Sequence, residues 1–221
     1  MVVGLQVLFW VAGGLVMTAI PIERVRSENR LQPLTLAPLD PAATAQLPFL
    51  VAQAPLAKAE LKSTSRGPVW VLTPVEGEPR TVSAATGEPL PAMTPNEART
   101  AAVAAYKGPG QPVAVRLLDP APKETGREGP IWRVSFDDPE KTDFYLSPET
   151  GEVVTRRSGV WRFYDFFWRL HVMDWNDGEH FNHPLIVIVT FLTLIIVLSG
   201  FVLLWVRLAR DYKGWKAKRR T

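Results

Sequence analysis

A chain of 221 residues with 47% hydrophobic side chains, 25 Lys+Arg and 22 Asp+Glu has the bulk composition of one or two ordinary domains. The absence of cysteine excludes disulfides and thiolate chemistry. A pI near 9.3 and a charge of +3 do not imply nucleic acid, because setting aside seven cations of the tail and Asp211 leaves 18 basic against 21 acidic residues.

Residues 1–20 contain no Asp, Glu, Lys or Arg. At about 1.5 Å per residue they barely reach across a bilayer core of about 30 Å, and they are expected to form a first transmembrane helix. A cleaved signal peptide is the competing reading. It fits less well, since the run starts without a basic residue and leaves through Thr18-Ala19-Ile20-Pro21 rather than a small-x-small site. Residues 21–39 read as a linker.

The stretch that follows repeats itself. Gly67-Pro68-Val69-Trp70 returns as Gly129-Pro130-Ile131-Trp132, and Thr86-Gly87-Glu88 returns as Thr150-Gly151-Glu152. Asp40-Pro41 and Thr94-Pro95 each pair an N-cap residue with proline at the first helical position, and Glu97 completes a capping box with Thr94. The second helix should stop at Lys107-Gly108-Pro109-Gly110. Three strand-like runs follow each helix start: 58–63, 69–73 and 81–84 in the first copy, 112–118, 131–136 and 143–146 in the second. Residues 40–91 and 94–155 are thus expected as two tandem α-β-β-β units.

Residues 160–175 carry Trp161, Trp168 and Trp175 at seven-residue spacing, which is close to two helical turns and makes one aromatic stripe. An amphipathic helix at the membrane interface is expected there. The run 185–206 is apolar and free of Asp, Glu, Lys and Arg, so 184–207 reads as a second transmembrane helix. Residues 208–221 read as a basic tail. The cations Arg207, Arg210, Lys213, Lys216, Lys218, Arg219 and Arg220 crowd against that span and mark its cytoplasmic side. Both termini are then cytoplasmic and the middle of the chain is periplasmic, in a bacterial inner membrane.

The strand ending in Tyr145-Leu146-Ser147-Pro148-Glu149-Thr150-Gly151-Glu152-Val153, set before an apolar helix, resembles the PepSY domain and the PepSY-associated transmembrane helix family. Pro21-Ile22-Glu23-Arg24-Val25-Arg26, Leu170-His171-Val172-Met173-Asp174 and Phe181-Asn182-His183-Pro184-Leu185 are similar to its small two-span members. Members commonly begin with a basic, histidine-containing segment before the first span, whereas this sequence begins at Met1 inside the apolar run. The resemblance implies an α+β membrane protein: two helices flanking a periplasmic pair of PepSY-like units that dock on an unidentified membrane or periplasmic protein, as accessory subunit or peptidase regulator. Larger relatives resemble haem-binding ferric reductases, so a redox or iron-uptake role is the alternative.

The three histidines, His171, His180 and His183, all precede the second span and are the candidate haem or metal ligands. Haem is disfavoured because neither span contains histidine, although Met17 could serve as an axial ligand. The run 174–183 is rich in oxygen and nitrogen ligands. It fails as a calcium loop because its terminal acid position falls on Leu185, and zinc through His180 and His183 is weaker than a polar cap on the second span. No nucleophile-and-base arrangement, G-x-S-x-G, H-E-x-x-H or phosphate loop is present, so the protein is expected to be non-catalytic. Gly13, Gly14 and Gly200 are small surfaces for helix packing. The expected partners are the lipid bilayer and another protein, not nucleic acid.

Overall fold

The computed structural model describes residues 2–34, 38–173 and 184–218. The chain divides into two compact units, one made of Pro21–Phe163, the other of Met1–Ile20 with Tyr164–Thr221.

The unit Pro21–Phe163 holds two antiparallel sheets. In the first, β1 (Leu56–Thr64), β2 (Gly67–Pro74) and β3 (Arg80–Ser83) form a meander in the order β1-β2-β3. A 3-10 turn at Pro41–Thr44 and the short helix α3 (Leu47–Gln53) precede it; the helix α2 (Ile22–Val25) lies earlier in the same unit. Asp40 caps the 3-10 turn by accepting from the Ala42 amide at 2.8 Å. Trp70, Leu72, Val82 and Ala84 close a core with Ala43 and Leu50, and the Trp70 indole donates to the Ala43 carbonyl at 3.1 Å.

The helix α4 (Pro95–Ala105) starts at the capping box read from the sequence: the Thr94 hydroxyl accepts from the Glu97 amide, and the Glu97 carboxylate accepts from the Thr94 amide. Its alanine face, Ala98, Ala101, Ala102 and Ala105, packs on the second sheet. That sheet runs β4 (Pro112–Leu118), β5 (Ile131–Phe136), β6 (Asp143–Leu146) and β7 (Val153–Arg157), in that order. Trp132, Val134, Phe136, Phe144 and Leu146 face α4, with Tyr106 stacked on Phe136 at 3.8 Å between ring centroids.

The bounds of α4, β4, β5 and β6 match the sequence reading. The strand β7 was not expected. It continues from Thr150-Gly151-Glu152 into Val153-Val154-Thr155, whereas the equivalent place in the first copy is Pro89-Leu90-Pro91. Proline has no amide donor for a ladder, so there only an isolated bridge between Val82 and Pro89 forms. The two turns are otherwise hydrogen-bonded alike. Gly87 donates to Ser83 and Ser83 to Glu88, both at 2.8 Å; Gly151 donates to Ser147 at 2.9 Å and Ser147 to Glu152 at 3.0 Å. Each glycine sits at positive φ, 75° and 71°.

Residues 21–34 are more than a linker. The Gln32 amide donates to the Ala105 carbonyl at 2.9 Å, its side chain donates to Ala104 at 2.7 Å, and Lys107 donates to Arg30 at 2.8 Å. The orphan carbonyls at the end of α4 need donors, and the Gly-Pro-Gly stop beside them supplies few, so the 30–32 segment fills that need.

In the other unit, α1 (Val2–Ala19) and α6 (Pro184–Lys218) are apolar helices. Among the described helices only α6 is long and apolar enough to cross a membrane; the apolar stretch of α1, Gly4–Ala19, falls short. The helix α6 also runs on through the basic residues expected as a separate tail, because Arg, Lys, Ala and Leu are good helix formers and cations suit a helix C-terminus. The helix α5 (Gly159–Val172) covers most of the expected interfacial segment and stops at Met173, whose φ of 54° is left-handed.

Candidate functional site

The expected site residues fall into three sets. His180, His183 and Trp175 lie outside the described residues. His171 occupies the last turn of α5 beside α1. There the Trp10 indole donates to the His171 carbonyl at 2.7 Å, the Gln6 amide reaches the Leu170 carbonyl at 3.5 Å, and the Trp10 and His171 rings lie 6.2 Å apart. A Cβ on Gly13 would stand 3.4 Å from the Phe167 carbonyl and 3.6 Å from His171 Nδ1, so Gly13 allows this close approach. Among the described residues His171 Nδ1 is buried and has no hydrogen-bond partner.

The glycines expected to pack the two spans behave differently from one another. Gly13 packs, but against α5. A Cβ on Gly14 or Gly200 would meet nothing within 4 Å, so neither supports a helix contact among the described residues. Their small size leaves open surface on α1 and α6 instead. Trp161 and Trp168 lie half-buried on α5, and the Arg157 guanidinium stands 4.2 Å over the Trp161 ring.

Three polar groupings in the Pro21–Phe163 unit have no sequence motif. The first is built on the loop between β5 and β6. The fully buried Asp138 carboxylate accepts from the Thr142 amide at 2.7 Å and its hydroxyl at 2.9 Å, with Arg30 at 3.5 Å. Arg30 and Arg24 also reach Glu140, at 3.6 and 3.0 Å. The Glu140 carbonyl in turn accepts from the Gly159 amide, so segments 24–30 and 158–159 are both fastened to this loop.

The second grouping lies on the sheet face away from α4. Arg162 donates to Asp143 at 2.6 Å and Glu124 at 3.1 Å, and the buried Tyr145 hydroxyl donates to Glu124. Burial works against the Glu124 charge, but the hydrogen bonds from Tyr145 and Arg162 outweigh it and hold its pKa below the usual carboxylate range. Burial and then Glu124 push the Tyr145 phenol up, so it remains a donor. These charges are internally paired.

The third is a cleft of about 520 Å³ between the β1–β2 turn and α4, lined by Ser65, Arg66, Met93, Asn96, Glu97 and Thr100 among others. Arg66 braces its wall by donating to the Glu149 carbonyl at 2.8 Å and the Pro91 carbonyl at 2.9 Å. The Glu149 carboxylate accepts from Thr81 at 2.5 Å, so the Glu149–Gly151 turn of the second sheet rests on the first. The cleft sets polar groups around an apolar floor of Met93 and Ala101.

A family model described as the PepSY-associated TM region matches residues 37–221, far more than half of the chain. No curated protein and no solved structure matches it.

Proposed function

The chain belongs to the PepSY-associated TM family, and we propose that it is a non-catalytic interaction module, anchored in the membrane, that docks a segment of a membrane or periplasmic partner. Membership together with the long apolar helix α6 makes the protein membrane-associated and in contact with lipid. The finer topology is part of the proposal. Residues 40–91 and 94–155 act as tandem PepSY-like units on the periplasmic side, α1 is a second span, α5 lies at the interface, and both termini are cytoplasmic. The identically bonded Gly87 and Gly151 turns and the placement of Trp70 and Trp132, each on the second strand of its sheet, support the tandem reading.

The observation that carries docking is the braced cleft at Arg66, a preformed concavity whose wall is held by backbone carbonyls of the Glu149–Gly151 turn and of the segment between β3 and α4. Thr100 is exposed on its rim. Cross-linking in native membranes followed by purification and mass spectrometry should recover one partner in constant ratio with the wild-type chain. Thr100→Trp, which fills the cleft, should lose that partner, and undiminished recovery with Thr100→Trp would remove the cleft from the reading.

A haem-linked redox role is the second reading, and it would rest on His171, whose Nδ1 is buried without a hydrogen-bond partner among the described residues. The surrounding residues fit haem poorly on that nitrogen, because the Gly13 backbone of α1 lies against it and leaves no space for a porphyrin. Ligation would require Nε2 and a second ligand such as Met17. A Soret band in the purified chain, lost in His171→Ala, would establish this role in place of simple docking.

A further inference from the structure

The face of the second sheet turned away from α4 carries positive charge that its own acids do not meet. Side chains alternate along a strand, so with Trp132, Val134 and Phe136 turned to α4, Arg133 and Ser135 fall on the other face of β5. The ladder sets Arg116 of β4 directly opposite Arg133, and Tyr145 of β6 opposite it on the other side. The acids of this face are already engaged. Asp143 accepts from Ser135 and Arg162, and Glu124 accepts from Tyr145 and Arg162.

Two arginines directly opposite one another on a sheet repel, and a fold normally sets an acid between or beside them. Here none is left for the pair: among the described residues neither Arg116 nor Arg133 has an ion pair or a hydrogen bond. Arg116 is exposed, whereas Arg133 is half-buried and its Nε is shut off from solvent without an acceptor. A guanidinium that has lost water at one nitrogen and gained no acceptor there carries a desolvation cost, and the neighbouring cation adds to it. An anion that reaches both guanidinium groups removes both penalties.

We propose that Arg116 and Arg133 form a binding site for a phosphate group. A phosphate presents several oxygens on a tetrahedral centre, so two guanidinium forks donate to it at once. A carboxylate has two oxygens, which one fork uses up, and it would leave the second cation unmet. The phosphate is that of an anionic lipid headgroup or free inorganic phosphate; the chemistry of recognition is the same for both. Neither arginine lines the cleft at Arg66, so this site stands apart from the docking reading.

Calorimetric titration of the full-length chain in a neutral detergent tests the site, with inorganic phosphate as one probe and dihexanoyl phosphatidic acid as the other. At least one probe should bind, and Arg116→Gln combined with Arg133→Gln should weaken that binding at least tenfold. These changes remove no contact within the chain, so the urea midpoint without phosphate should hold or rise as the repulsion is relieved. The basic C-terminus is a rival site for any phosphate, and Arg207→Gln with Arg210→Gln should leave the affinity unchanged. Phosphatidic acid binding at least tenfold tighter than phosphate assigns the site to a lipid headgroup; equal or weaker binding assigns it to free phosphate. Silence of both probes, undiminished binding without the two sheet arginines, a urea midpoint that falls in their absence, or loss of binding with the C-terminal pair would overturn the proposal.

Discussion

The Trp10 indole N–H donates to the His171 carbonyl across 2.7 Å, so a side chain of α1 closes the last turn of α5. Three residues on, Gly13 has the Phe167 carbonyl beside it and adjacent Gly14 has open space. Trp10→Phe should keep the aromatic bulk and lose the bond, costing about 1 kcal/mol. Gly13→Leu should cost about 1–3 kcal/mol by overpacking the seam, and Gly14→Leu should cost nothing. Thermal unfolding in detergent measures all three, and equal behaviour of the two glycine variants would sink this account of the seam.

Asp138 is the best-buried acid among the described residues; the Thr142 amide and the Thr142 hydroxyl donate to it, and Arg30 forms an ion pair with it at 3.5 Å. Asp138→Ala strands both Thr142 donors and leaves Arg30 with Glu140 alone, and should destabilise the Pro21–Phe163 unit by on the order of 3 kcal/mol. Asp138→Asn keeps an acceptor toward Thr142 and should cost less. Urea unfolding followed by tryptophan fluorescence orders the two variants.

The Glu124 carboxylate has a pKa held below its ordinary value, so it loses its proton more readily in the folded chain than in the unfolded one. Its contribution is therefore present above about pH 4.3 and is lost as pH falls through the folded value. Tyr145 runs the other way: its raised pKa keeps a contribution that fades only as pH climbs past about 10. Glu124→Gln should lower the urea midpoint at pH 7 and approach the wild type near pH 3. A gap of constant size from pH 7 to pH 3 would refute this role for Glu124.

These three predictions rest on features with very different visibility in the sequence. The alternation Ile131-Trp132-Arg133-Val134-Ser135-Phe136 carries β5 at its observed bounds, and Thr94 with Glu97 carries the start of α4, because both signals are local. Reading the two copies as equal hid β7, since the prolines that prevent the strand in the first copy are absent from the second. The Arg30–Asp138 and Trp10–His171 contacts join residues more than a hundred positions apart. Neither has a local pattern. Gly13 was legible as a packing residue, but its neighbour on α5 was not.

Orientation is testable independently of any partner. Seven basic residues from Arg207 onward follow the apolar run, and moving them across the bilayer is costly, so the C-terminus should be cytoplasmic. A phosphatase fused there should be inactive and a cytoplasmic reporter active. The reverse pattern would also move the two sheets to the cytoplasm and remove the periplasmic part of the proposal.

Gly200 offers the sharpest test of what α6 does besides anchor. Nothing in the described chain lies within 4 Å of an added Cβ there, and neighbouring Ser199 has its hydroxyl satisfied by the Ile195 carbonyl at 2.8 Å. An isoleucine at this position therefore disturbs no contact of the protein itself, and it is a better residue for a helix in lipid than glycine. Small residues on a membrane helix matter when another helix approaches closely, because packing there replaces the hydrophobic effect as the source of association. Gly200→Ile should leave expression, membrane insertion and the unfolding of the two sheets unchanged while lowering recovery of a cross-linked membrane partner severalfold. Full recovery with Gly200→Ile would assign this face of α6 to lipid, and docking would then rest on the Pro21–Phe163 unit alone.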